Sequence, residues 1–140
     1  MKWLVFSDLK LRWLIYTVLF GMAPIFLRLL VSLLIVGEKE VPYFSAPDFI
    51  AFGIVLQVSI FNEIRYHNLS DADWKHRMMG VSALFMLFYS ALYVMLLMSE
   101  VFSGVNVNAV LYSAIVSSTI SFLLCLCLYD RMSKSSEAEV

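Results

Sequence analysis

The sequence predicts an all-α integral membrane protein, a four-transmembrane-helix bundle of two helical hairpins with both termini in the cytoplasm. Three observations predict it. Hydrophobic residues fill 61% of the 140 positions and charged residues 15%, with a mean hydropathy of +0.84; a soluble domain of this size needs more polar surface to cover its core. Four apolar stretches approach or exceed the ~20 residues that cross a bilayer. Lys and Arg, finally, gather on one side of those stretches. Residues 1–132 read as one membrane domain, and 133–140 as a polar, disordered cytoplasmic tail.

The first span covers about 13–36 and contains Pro24 and Arg28. It is expected to be retained rather than cleaved as a signal peptide. Gly21-Met22-Ala23 has small residues at a suitable spacing, but Pro24 would follow the cut, and the apolar run is longer than a signal core. Before it, Met1 to Arg12 mixes apolar and charged residues and reads either as a short interfacial helix or as an extension of the span. The second span, about 48–66, is the weakest, with Gln57, Asn62 and Glu63 in or near it. Its inclusion keeps the basic loop after it on the same side as the C-terminus. Spans three (76–99) and four (108–129) are the most uniformly apolar.

Orientation follows from the cations. Lys2, Lys10, Arg12, Arg65, Lys75, Arg77, Arg131 and Lys134 lie on one side, against Lys39 alone on the other, where Glu38, Glu40 and Glu100 also sit. The positive-inside rule puts the first set in the cytoplasm. The expected location is a bacterial inner membrane.

Capping signals refine the boundaries. Ser45-Ala46-Pro47-Asp48 is a capping box with an early proline, which starts the second helix. Ser70-Asp71-Ala72-Asp73 is another, so the third helix begins near Asp71 with its first turns in the cytoplasm and Trp74 at the interface. Gly104, Asn106 and Asn108 punctuate the turn before the last helix.

Arg28 is the sharpest single signal. An arginine within a span costs roughly 2.5–3.5 kcal/mol on insertion scales, so it needs protein, water or a partner. Counting from Trp13 at 1.5 Å per residue places Arg28 about 22 Å across, towards the outer side. Glu63, at the inner end of the second span, is out of reach, whereas Asp48 at its outer end is not. An Arg28–Asp48 ion pair is therefore expected; snorkelling of Arg28 to the outer interface is the alternative. Pro24 removes a helix hydrogen bond one turn earlier and is expected to kink the span.

The last span carries a ridge of small residues, Ala109, Ser113, Ser117, Ser121 and Cys125, with Ala114 and Ser118 beside it. Small residues at this spacing let helices approach closely. Because the row drifts at 100° per residue, a straight neighbour meets mainly Ala114, Ser118, Ser121 and Cys125. Packing within the chain, a seam between copies and a hydroxyl-lined pore all remain open. The inner loops hold Glu63, Arg65, His67, Asp71, Asp73, Lys75, His76 and Arg77, a charged platform suited to a soluble cytoplasmic partner or simply to solvation.

Other chemistries find little support. Cys125 and Cys127, two apart on a helix, diverge too far to close a disulfide or share a metal. Glu63, His67 and His76 are too few for a metal site. No phosphate-binding loop or nucleophile motif is present, and no bulk basic surface suits nucleic acid. An enzymatic role and a cofactor are not expected.

In size, span count and layout, the chain looks like the small multi-pass membrane subunits of bacterial anti-phage defence operons, such as the membrane component of the Kiwa system. It looks equally like multi-span colicin immunity proteins. The likeness is one of architecture and assigns no residue roles. The defence resemblance implies an inner-membrane homo-oligomer that detects infection and works with a soluble effector encoded beside it. The expected function is thus a non-enzymatic, oligomeric membrane sensor or anchor for a cytoplasmic partner, with channel formation as an extension. The alternative is a small secondary transporter or a toxin-immunity protein.

Overall fold

The computed structural model describes residues 8–37, 39, 41–66 and 71–138, and these are helical apart from short connections, with no strand among them. The first span is one continuous rod in three parts: α1 (Asp8–Trp13), a π-helical stretch over Leu14–Leu19, and α2 (Phe20–Leu34). Then come α3 (Ala46–Tyr66), α4 (Ala72–Val101) and α5 (Val107–Ala138). Four stretches are long and apolar enough to cross a membrane: Leu11–Leu34, Ala46–Tyr66, Ala72–Val101 and Val107–Ser135. The chain is a multi-pass membrane protein folded as a four-helix bundle.

Local chemistry sets the helix ends. Asp71 caps α4, its side chain accepting from the Trp74 backbone N–H at 3.2 Å; this satisfies one of the four orphan amides of a helix start. Asn106 does the same for α5, its side-chain oxygen accepting from the Ala109 N–H at 3.1 Å. At the start of α3 the Ser45 backbone carbonyl meets the Asp48 N–H (3.2 Å), and the Asp48 carboxylate turns to Arg28 of the preceding helix. Ser70 and His67 lie outside the described residues.

One boundary differs from the sequence expectation. Helix α5 continues to Ala138, so the part of the 133–140 tail that is described is helical, not disordered. The Lys134–Asp130 pair, four residues apart at 3.0 Å, supports those last turns. At the other end, the described residues run from Asp8 as helix without a break into the span, one of the two readings of that segment. Pro24 sits inside α2, where the helix continues through it; the irregular stretch is the π-helical one that precedes it.

Helix α3 is the central element, packed against α2, α4 and α5. Its inward positions Ala46, Ile50, Gly53, Gln57, Ile60 and Ile64 alternate at four and three residues, the seam of a left-handed bundle. It has the lowest mean hydropathy of the four spans, 1.3 against 2.1 for each of the others, yet the largest buried share, 44%. A helix that meets protein on most sides does not need an apolar surface for lipid. Two apolar clusters divide the core. One joins Trp13, Val18, Leu56, Ile60, Tyr129 and Met132, among others. The second joins Ala46, Ile50, Tyr89, Leu92, Val110 and Ala114.

Candidate functional site

Between the two apolar clusters lies a buried polar layer. Gln57, fully buried on α3, donates from Nε2 to Ser121 Oγ on α5 at 2.9 Å. The same Ser121 hydroxyl is 2.7 Å from the Tyr89 hydroxyl of α4. Ser82 of α4 donates to the Gln57 backbone carbonyl at 3.0 Å, and the Cys125 thiol points at the Leu56 carbonyl at 3.8 Å. Gln57 Oε1 is buried without a hydrogen-bond partner. Tyr89 reaches this layer only because position 53 is glycine: a Cβ there would overlap the Tyr89 ring.

The small-residue ridge of α5 faces this layer. Ala114, Ser118, Ser121 and Cys125 are all buried within the protomer, Ser117 nearly so, whereas Ser113 is half-buried and Ala109 is exposed. Ser117 and Ser118 donate to the Ser113 and Ile115 carbonyls of their own helix. Buried inside one chain, Ala114, Ser117, Ser118, Ser121 and Cys125 pack against the neighbouring helices of the same protomer. Ala109 and Ser113, nearer the start of α5, stay at the surface of the bundle.

At one end of the bundle, Arg28 of α2 pairs with Asp48 in the first turn of α3. Arg28 Nε donates to Asp48 Oδ2, and Nη2 lies 3.5 Å from Oδ1. The two side chains keep 29% and 12% of their surface exposed, so the pair is only partly withdrawn from its surroundings. The start of α3 supplies the anion where its free amides also favour one. Ser32 Oγ donates to the Val41 carbonyl at 2.9 Å, tying the following loop back to α2.

The opposite end carries the charges. Glu63 and Arg65 close α3, Asp71, Asp73, Lys75, His76 and Arg77 open α4, and α5 adds a cation that the sequence analysis left out of the platform. Arg131 reaches back to α4, with Nη2 3.9 Å from Asp71 Oδ2 and its guanidinium 4.5 Å from the centre of the Trp74 ring. His76 Nδ1–H donates to the Ala72 carbonyl at 2.7 Å. Asp73, His76 and Arg77 are exposed, and Lys75 is half-buried. The start of α4 and the end of α5 thereby form one braced, charged unit.

Beside the platform, the π-helical stretch and α3 part to leave a cleft of about 430 Å³ lined by Tyr16, Thr17, Val58, Ser59, Asn62 and Glu63, among others. A second hollow of about 260 Å³ shares Tyr16, Thr17, Ser59 and Glu63 with it and adds Arg12, Trp13 and Tyr129. The Thr17, Ser59 and Tyr129 hydroxyls form a chain with steps of 3.3 and 3.2 Å. Trp13 stacks on Tyr129, ring centres 4.5 Å apart, and its buried Nε1 has no hydrogen-bond partner.

No protein-family model, curated protein or solved structure matches the chain. The site therefore rests on its own geometry.

The structure brings together Arg28 with Asp48, and the ridge of α5 with α3 and α4. It gathers the described platform residues at one end without joining them into a reactive constellation. Among the described residues, no three His, Cys, Asp or Glu side chains converge as a bound metal would need. Two features escaped the sequence. Gln57 and Asn62 stood out only as blemishes in a weak span, although polar residues within a span are a signal of an interior face. The cleft and the hollow beside it join residues from the start, middle and end of the chain, and no local pattern marks such a convergence.

Proposed function

We propose that the protein is a non-enzymatic membrane anchor and sensor that presents a charged platform to a soluble cytoplasmic partner. The observation that carries this reading is the Arg131 brace. By joining the end of α5 to Asp71 and Trp74 of α4, it continues the membrane bundle into a unit that carries the exposed Asp73, His76 and Arg77. A platform built this way transmits a change in bundle packing to whatever is docked on it. The cation distribution supports a cytoplasmic placement of that end. Association with phage defence is part of the proposal on the strength of layout alone. Self-association is not part of this proposal: Ala114, Ser118, Ser121 and Cys125 of the ridge that suggested it are buried within the protomer.

Co-expression with the soluble proteins encoded beside it, followed by extraction into detergent and a mass measurement, tests the proposal. One soluble protein is expected to stay bound in fixed stoichiometry. The triple variant Asp73→Lys, Lys75→Glu, Arg77→Glu is expected to release it while the helical content stays unchanged. Retention of no soluble protein, or retention indifferent to the triple variant, contradicts the proposal.

A small secondary transporter is the second reading, and one observation favours it: the unpartnered Gln57 Oε1 within the polar layer between the helices. A transport role requires that Gln57→Leu abolish the substrate's flux. An anchor role leaves that variant functional.

A further inference from the structure

Helix α4 is the least enclosed of the four spans, with a buried share of 11%. It turns Ser82, Tyr89 and Leu92 into the bundle. On its opposite face Gly80, Leu84, Leu87, Ala91, Val94 and Met98 recur in steps of four and three residues, and all are exposed. This spacing keeps one row on one side of a helix, and it is the seam along which two parallel helices pack in a left-handed pair. Apolar exposure by itself is what lipid demands of any span. Two observations on this face ask for more than lipid.

The first is Gly80. Three glycines lie within helices, Gly21, Gly53 and Gly80. At the first two a Cβ would meet the Phe52 and Tyr89 rings, so the missing side chain lets an aromatic ring of the same chain approach. Around Gly80 no atom beyond its own helix lies within 4 Å. A helical glycine weakens its helix relative to alanine, and nothing within the chain comes close enough to account for this one. Its open backbone, facing outward on the row, admits the close approach of another helix.

The second is charge. At the platform end the same row continues through Arg77 and Asp73, four residues apart and both exposed. Among the described residues neither has an ion-pair partner. Two copies in one membrane share an orientation, so their α4 helices run parallel. A two-fold axis between them sets Asp73 of each copy beside Arg77 of the other, and the row is complementary to itself in charge.

We propose that this face of α4 docks against the same face of a second copy, forming a parallel two-fold dimer in the membrane. Gly80 and Ala91 set the close approach, and Leu84 and Leu87 interlock between them. Reciprocal Asp73–Arg77 pairs fix the register at the rim, where they stay open to water. The seam is distinct from the small-residue row of α5, and the inference does not rest on the docking of a soluble protein.

Cysteine crosslinking in membranes of cells that express the protein alone tests it, so the result is blind to any soluble partner. Leu84→Cys, Leu87→Cys and, as a control at an exposed position of α5, Leu123→Cys are placed singly in a background with Cys125→Ser and Cys127→Ser and oxidised. Positions 84 and 87 are expected to give a disulfide-linked dimer, and position 123 only the background of random collisions. Gly80→Leu is expected to bring the yield at position 87 down to that background. Arg77→Glu sets like charges together and is expected to weaken association about fivefold, the worth of two exposed ion pairs; adding Asp73→Arg is expected to restore it. Yields at 84 and 87 no higher than at 123 overturn the proposal, as does a yield at 87 that Gly80→Leu leaves unchanged. So does a loss with Arg77→Glu that Asp73→Arg does not repair.

Discussion

Gln57 on α3 and Tyr89 on α4 meet at a single hydroxyl, that of Ser121 on α5, at 2.9 and 2.7 Å. Three helices are thereby locked in register at one level of the bundle. In a membrane the apolar faces of helices gain little by leaving lipid, so close packing and interhelical hydrogen bonds carry more of the specificity. Ser121→Ala removes both bonds, each worth about 0.6 kcal/mol in bundles of this kind, and is expected to destabilise the extracted protein by about 1 kcal/mol. Thermal or denaturant unfolding in detergent measures it. A change indistinguishable from zero means that the junction is not a structural clamp.

Gly53 lets the Tyr89 ring lie directly on the α3 backbone. Gly53→Ala places a methyl group within that ring and is expected to cost about 1–3 kcal/mol, the usual range for overpacking. A double variant with Tyr89→Leu is expected to lose less than the two single changes combined, because the neighbours share one contact. Additive losses in the same unfolding assay would show that the ring does not occupy that space.

Arg28 and Asp48 join α2 to α3 at the end of the bundle away from the platform. Their side chains are 29% and 12% exposed, so breaking the pair is expected to cost about 1–2 kcal/mol, below the 3–5 kcal/mol of a fully buried pair. Asp48→Ala is the more harmful single change, since it leaves an arginine within a span. The swap Arg28→Asp with Asp48→Arg is expected to recover part of the loss. No recovery on swapping would reduce the pair to two adjacent but independent charges.

Much of this bundle was legible in the chain because bilayer thickness demands long apolar runs and helix starts demand capping groups. The Asp71 and Asn106 caps are local chemistry, and so is the reach of Arg28 to Asp48 once helix rise is counted. The face of each helix is a different matter. Hydropathy measures preference for lipid, so it ranked α3 as the weakest span when α3 is the most enclosed. The period of the α5 ridge signalled close packing, but spacing alone does not say whether the neighbour belongs to the same chain. The π-helical stretch left no trace in the pattern of Leu14–Leu19, and with it went the cleft. Arg131 was counted for orientation but not for its contact, because a cation-π pair between α4 and α5 depends on how the two helix ends meet.

That contact makes a further prediction. The Arg131–Asp71 pair is exposed at 58% and 57%, so Arg131→Ala is expected to change stability by no more than about 0.5–1 kcal/mol, with the Trp74 stacking included. Loss of the brace is nevertheless expected to weaken retention of a soluble partner. A variant that keeps its partner undiminished would show that the platform does not depend on α5.

The measurement that reaches furthest is labelling from outside the cell. Single cysteines at Asn106 and Asp73, in a background with Cys125→Ser and Cys127→Ser, are treated with a membrane-impermeant maleimide in intact cells and after lysis. Position 106 is expected to react in intact cells and position 73 only after lysis, placing the platform inside with α4 spanning the bilayer between them. Reaction of both positions from the same side, or of position 73 from outside, would contradict a cytoplasmic platform and the anchoring role built on it.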